Sequence, residues 1–391
     1  MKHYRNRVIF FGCISALFLV SCKSELDNNT VISVNFSDVS NKKQVINLSE
    51  WVSEPEFIAL DSSCEDAFSE SSYCRISNNY IGVYGSHQVY KLYDRKTGKY
   101  LRNIGQVGKE SGEYRNVFSS VIDEQNSIVY ILPWNAKEVL GYNIDSGELK
   151  DLRPLKYTVP KGSFAIDSHT GELTVATLPF KGIAETVVWK QDKENNNLWE
   201  IPAEQFSVIP DFSNTISSSF NTENFDFSIT TLEGRVDSLY VVEDGFLKPI
   251  FTMNFFKENQ EQLKIGGKSN LPYHTYTLLP KHILTSIRMQ IRKPNGLLGY
   301  SKPIYIVTDR KTEKSFQADF HDDMLYRKLD YLPFTQGYYL ELFSAKDFIK
   351  LGKQALSKGK LSEVSKAKIS SILKTLNPES NGVIMLAPLK N

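Results

Sequence analysis

Gly105-Gln-Val-Gly108-Lys-Glu-Ser-Gly112-Glu113-Tyr114 lies between two stretches of hairpin-like alternation, and its three glycines fall at spacings of three and four. Glycine takes positive φ without steric cost and lets backbone pass close to neighbouring chain. Upstream, four short apolar-alternating runs follow one another: Tyr73–Ser77, Tyr80–Tyr84, Val89–Tyr93 and Lys99–Ile104. Turn residues separate them, with Asn78-Asn79, Ser86-His87 and Asp94-Arg-Lys-Thr-Gly98 in the gaps. The last of these is a strong hairpin signal, its glycine supplying the left-handed position that closes a type I turn. The stretch therefore follows a four-stranded antiparallel meander.

Downstream the cycle repeats. Val117–Ile122, Ile128–Leu132, Val139–Asn143 and Glu148–Leu152 form a second meander, and Ser163–Ile166, Leu173–Thr177 and Thr186–Lys190 begin a third. The first-hairpin turns at Asn78, Glu124 and Ser168 recur at 46 and 44 residues, and Gly98 and Gly147 are 49 apart. Four strands in about 45 residues is the blade period of a β-propeller. The pattern loosens after residue 190. Asp226–Thr231, Ser238–Val242 and Leu247–Phe255 read as a fourth blade; Tyr273–Leu278, Ile283–Ile291, Ile304–Thr308 and Ser315–Phe320 read as a fifth. Asp309–Lys314 echoes Asp94–Lys99, with Glu313 where the glycine stood. Polar stretches at 191–197, 210–224 and 257–272 read as loops.

The C-terminal segment changes character. Gly337–Phe343 and Val383–Leu389 read as strands, with a helical insertion over about 345–377 between them. Ile369, Ile372, Leu373 and Leu376 share one helix face there, and Pro378 ends it. Five blades leave an incomplete sixth, which an N-terminal strand at Phe57–Leu60 would complete, removing the open edges of the ring. The fold expected is all-β: a six-bladed β-propeller of four-stranded antiparallel blades, closed by strands from both ends, over residues 51–391. Residues 23–50 are polar and read as a tether, with one strand at Val31–Phe36.

Residues 1–22 read as a targeting segment. Lys2, Arg5 and Arg7 precede an apolar run, Val8 to Val20, that is too short to span a bilayer. It ends Leu19-Val20-Ser21-Cys22, which fits the bacterial lipobox at every position. Cys22 is then the lipidated first residue of the mature protein, anchored through acyl chains at about 0.8 kcal/mol per buried CH₂. The expected location is the cell envelope, lipid-anchored to the outer membrane and facing either the periplasm or the cell surface. Without Lys2, Arg5 and Arg7 the chain has 43 basic against 45 acidic groups, a balance that argues against nucleic acid as partner. Cys64 and Cys74 remain, ten apart; a disulfide across a hairpin and two unpaired thiols are both open readings.

The lipobox, the Gly105–Tyr114 stretch, the Asp94–Gly98 hairpin and the C-terminal helix before an apolar strand together resemble the six-bladed β-propeller lipoproteins of Gram-negative gut-type bacteria. The stretch itself is similar to the NHL-type linker G-x-x-G-x-G-x-G-E-[FY], departing from it at Glu110 and Ser111. In that family the linker carries the chain from the outer strand of one blade to the inner strand of the next. Joins near 153–162 and 202–224 do not repeat it.

Catalytic signatures are sparse. Gly266-Gly-Lys-Ser269 lacks the first glycine of a phosphate loop, since Gln262 stands there, and reads as a polar loop. The histidines His87, His169, His274, His282 and His321 show no ligand spacing, and His321-Asp322-Asp323 reads as a turn. No metal, cofactor or catalytic residue is assigned. In a propeller, the connections from strand four to strand one and from strand two to strand three leave on one face. That groups His87, Tyr114, Arg115, Trp134, Phe180, Lys181 and Arg292-Lys293 around one rim. Aromatics with interspersed cations suit capture of a glycan, peptide or protein partner. The expected function is a monomeric, lipid-anchored binding module without enzymatic activity. The alternative that the resemblance implies is an NHL-type lyase or hydrolase with a metal in the central channel.

Overall fold

The computed structural model describes residues 31–63, 72–231, 237–243, 245–255, 272–294 and 296–390. Cys22 and the lipobox, residues 23–30, Cys64 with its pairing to Cys74, and Gly266–Ser269 lie outside them. The described chain forms six four-stranded antiparallel blades around a common axis, a β-propeller. Blade 1 is Tyr73–Ile76, Tyr80–Tyr84, Tyr90–Asp94 and Tyr100–Ile104, from the axis outward. Blade 2 is Val117–Asp123, Ile128–Pro133, Ala136–Asn143 and Leu149–Val159. Blade 3 is Gly162–Ile166, Leu173–Thr177, Thr186–Gln191 and Asn197–Pro202.

Blade 4 has the inner strand Thr215–Ser217, then Phe225–Thr230, Ser238–Glu243 and Phe246–Asn254. Thr215–Ser217 falls within a stretch that reads as a polar loop. Three residues carry too little pattern to announce a strand, and pairing with Ser228–Thr230 creates it. Blade 5 is Tyr273–Leu278, His282–Arg288, Ile304–Asp309 and Ser315–Asp322. Blade 6 takes Phe334–Thr335, Tyr338–Phe343 and Val383–Pro388 from the C-terminal region, and Glu56–Ala59 from the N-terminal region as its outer strand. The helices Ala345–Lys358 and Glu363–Thr375 are inserted between its second and third strands.

Successive side chains along each strand point to opposite faces of its blade, and both faces are buried against the two neighbouring blades. The apolar core accordingly divides into six clusters, one at each blade–blade interface. Tyr90, Ile104, Val129 and Tyr142 fill the seam between blades 1 and 2. Ile58, Ile81, Tyr93 and Ile384 fill the seam between blades 6 and 1, where the ring closes.

Residues 31–50 are not a tether throughout. Ile32–Asn35 pairs in parallel with Phe251–Asn254 at the outer edge of blade 4, and Lys43–Asn47 pairs in parallel with Gln317–His321 at the outer edge of blade 5. Phe36, Val39, Ile46, Leu48 and Val52 are buried in the interface clusters on either side of blade 5. Fully burying a side chain of that size contributes about 1.5–3 kcal/mol, which holds so polar a segment against the ring. Its polarity reflects its other face, which meets solvent.

The Gly105–Tyr114 stretch does run from the outer strand of blade 1 to the inner strand of blade 2. Gly105 and Gly112 have φ of 62° and 77°. A Cβ on Gly105 would stand 2.5 Å from the Tyr142 ring. The Tyr142 hydroxyl donates to the Gly112 carbonyl at 2.7 Å, tying the connection to blade 2.

Candidate functional site

Connections from second to third strands and from fourth to first strands share one face of the ring, because strand direction alternates within each blade. The loop carrying Trp134, the connection carrying Lys161, the loop carrying Phe180 and Lys181, and the connection carrying Phe212 all belong to that face. Trp134 is 38% and Phe212 is 71% exposed, and their rings meet edge to face at 4.8 Å. The Lys161 ammonium lies 4.7 Å from the Phe212 ring centroid and 5.9 Å from that of Trp134. It donates to the carbonyls of Phe212 at 2.5 Å and Asn214 at 2.8 Å. Burial pulls the Lys161 pKa down from its ordinary value. Cation–π attraction and the carbonyl bonds thus fix two exposed aromatic rings at an angle, with a buried cation beneath them.

The remaining rim residues sort by what they touch. Asn116 accepts from the Ser86 hydroxyl and the His87 amide through Oδ1, and its carbonyl accepts from the Trp134 amide. His87 is exposed with φ of 57°, and Arg115, beside Asn116, is exposed too. The Phe180 loop is braced by the Val208 carbonyl, which accepts from the Lys181 amide at 2.8 Å. Exposed Ile183 and Ile209 extend this apolar surface. Arg292 stands apart, in a hairpin of Gln290–Arg292 and Leu298–Tyr300, donating to the Gly296 carbonyl.

Tyr114 does not reach the rim. It is 2% exposed, its hydroxyl donating to the Ile104 carbonyl at 2.5 Å and accepting from the Tyr90 amide at 2.8 Å. It locks the linker into the seam between blades 1 and 2, and burial raises its pKa.

Two partners of the platform, Lys161 and Phe212, escape a reading of the sequence alone. Lys161 sits in a two-residue connection with no glycine motif, and Phe212 in a stretch without alternation. Blade topology is the one signal that would point to them, since it sends both connections to this face.

The opposite face has an open depression of about 460 Å³ lined by Phe220, Asn221, Thr222, Glu223, Pro280, Arg310, Gln336 and Gly337. Its amides are committed to the fold. Asn221 donates to the carbonyls of Leu278 and Phe334 and accepts from the Gly337 amide, joining blades 4, 5 and 6. Gln336 accepts from the Ile76 amide and donates to the Cys74 carbonyl, joining blade 6 to blade 1. The depression is a seam of ring closure.

Among the described residues, no three His, Cys, Asp or Glu side chains converge on a metal position, and no helix is long and apolar enough to cross a membrane. Asp322 caps the turn after blade 5 by accepting from the Met324 and Leu325 amides and pairs with Arg327. Asp323 accepts from the Ser49 amide and hydroxyl.

In overall fold the chain is similar to a putative exported protein of Bacteroides fragilis NCTC 9343. The TM-score is 0.57 at 15% identity, over 93% of this chain and 100% of that one. A member of the DUF4221 family from Bacteroides vulgatus ATCC 8482 aligns over 87% of this chain and 98% of its own at 12% identity, with a TM-score of 0.42 too low to bear on the fold. No curated protein matches. Residues 31–388, which take in all six blades and the strands along blades 4 and 5, match a single family, and the chain belongs to it: the domain of unknown function DUF4934.

Proposed function

We propose that this propeller is an exported binding module, anchored by lipid at Cys22, that holds a glycan, peptide or protein partner on the face carrying Trp134. The exported character of the Bacteroides fragilis protein supports the location, as does the lipobox ending at Cys22. The observation that carries the reading is the pair of exposed rings, Trp134 and Phe212, held by the buried Lys161 ammonium. Exposed aromatic side chains in a fixed geometry lose little conformational freedom on binding, so their contact area converts efficiently to affinity. Arg115, His87, Lys181 and Arg292 supply polar contacts around that face.

The test is capture from a glycan array and an envelope extract by the soluble form beginning after Cys22. Trp134→Ala and Phe212→Ala should each weaken capture at least ten-fold while leaving the melting temperature within about 2 °C, as expected of exposed positions. Equal capture by both variants would remove the Trp134–Phe212 platform as the site. Separately, Cys22→Ala should release the full-length protein from the membrane fraction; retention there would end the lipid-anchor reading.

A further inference from the structure

On that same face the inner strands begin around the axis, and this mouth of the ring is chemically lopsided. The inner strands of blades 1 and 5 begin with Tyr73 and Tyr273, and Tyr331 lies on the approach to the inner strand of blade 6. The inner strands of blades 2, 3 and 4 begin instead with Val117, Gly162 and Thr215. Three of the six inner strands are thus met by tyrosine on this face and three by smaller residues. Tyr73 and Tyr331 are each 63% exposed, a large aromatic area to leave in water.

A cation accompanies the tyrosines. Arg288 ends the second strand of blade 5 and pairs directly across from Tyr273, so both side chains leave the same side of the sheet. Tyr305 pairs with Ser286, two residues before Arg288, and so shares that side. Tyr300 packs on Tyr273 with ring centroids 5.6 Å apart, and the Tyr305 hydroxyl donates to the Asp330 carbonyl at 3.3 Å, pinning the chain that presents Tyr331. Arg288 is exposed and has no carboxylate partner among the described residues. Arg75, two residues beyond Tyr73, belongs to the other end of the axis, its guanidinium 4.8 Å over the Phe220 ring of the opposite depression. Its Nε is buried with no hydrogen-bond partner, and no carboxylate pairs with it among the described residues.

One exposed guanidinium at the opening, Arg288, with no carboxylate partner among the described residues, favours an anion there. The guanidinium fork matches a carboxylate with two parallel hydrogen bonds. Tyrosine offers a flat apolar face with a polar tip, which complements the CH face and hydroxyl rim of a sugar ring. We infer that the mouth of the ring is a site for an acidic saccharide, its carboxylate on Arg288 and its ring against Tyr331 and Tyr73. This is a second site on that face, beyond the Trp134 platform and independent of it.

The experiment is calorimetric titration of the soluble form with an oligogalacturonate, the matching neutral oligogalactoside and inorganic sulfate, at low and high salt. The acidic oligosaccharide should bind at least ten-fold tighter than the neutral one and than sulfate, and weaken as salt rises. Arg288→Ala should cost at least ten-fold, Arg288→Lys less, and Tyr331→Ala three-fold or more, all with unchanged melting temperature. Trp134→Ala, at the separate platform, should change this affinity by less than two-fold. Equal binding of the neutral sugar, binding of sulfate alone, indifference to Arg288→Ala, or no binding of the oligogalacturonate would each overturn the inference. Loss of capture by Trp134→Ala in the array would meanwhile leave the broader proposal standing.

Discussion

Asp94, Asp167 and Asp309 perform one task in three blades. Each accepts, through Oδ1, from the amide three residues on, at Thr97, Thr170 and Thr312. Each carbonyl also accepts from the amide four residues on, at Gly98, Gly171 and Glu313. Asn143 does the same in blade 2 with Ser146 and Gly147. The fourth-residue position requires positive φ, which Gly98, Gly147 and Gly171 take freely and Glu313 takes at 57°. A side chain in that region costs on the order of 1 kcal/mol. Glu313→Gly should therefore raise stability by about 0.5–1 kcal/mol, read from chemical denaturation, and an unchanged or lowered midpoint would refute the turn reading.

The same turns set an acid limb. Hydrogen bonds from the turn amides and, at Asp94 and Asp309, the threonine hydroxyl hold all three carboxyls below their ordinary range. A depressed folded pKa stabilises above the unfolded value of about 3.9 and is lost as pH falls through the folded one. The melting temperature should be insensitive to these groups above roughly pH 5 and fall below roughly pH 4. Asparagine at all three positions keeps the acceptor and removes the titration, so the acid decline should become shallower.

At the scale of elements, the short inner strands and the N-terminal segment owe most to their neighbours. Ile32–Asn35 is announced by its own sequence and Lys43–Asn47 is not, but the open edges of blades 4 and 5 supply the hydrogen bonds of both. Leu48, fully buried between blades 5 and 6, is the firmest hold. Leu48→Ala should cost about 2–5 kcal/mol in equilibrium unfolding, whereas a mere tether would show almost none. The inserted helices read more directly. Ser344 and Ser362 cap them by accepting from the Asp347 and Ser365 amides, and Phe348, Ala355, Ile369 and Ile372 face the ring. Lys350, Lys353, Lys368 and Lys374 face solvent, as their spacing among the apolar residues implies.

For the whole molecule, closure rests on Glu56–Ala59 completing blade 6 and on Gln336 reaching across to the backbone of blade 1. A form beginning after Leu60 exposes the outer edge of Val383–Pro388 and opens the core between blades 6 and 1. It should lose the single cooperative transition expected of the intact ring and bind a hydrophobic dye. A sharp transition at the original midpoint would mean that closure does not depend on this strand.

Much of the architecture was legible because hairpin signals are local. Turn residues at Asp94–Gly98 and Asp145–Gly147, and alternation between them, declare strands whatever lies beyond, and their recurrence declares blades. From these follow the propeller, its sixth blade shared by both ends and the helical insertion. The strand expected at Val31–Phe36 is there as Ile32–Asn35, whereas Thr215–Ser217 and Lys43–Asn47 were invisible because pairing with distant chain, not local pattern, makes them strands. The sites divide in the same way: exposed Trp134 stands out as a residue type. Its assembly with Lys161 and Phe212, the burial of Tyr114, and the gathering of Tyr73, Tyr331 and Arg288 at one mouth depend on ring geometry. That geometry brings together residues up to 258 positions apart, a relation that no local pattern along the chain encodes.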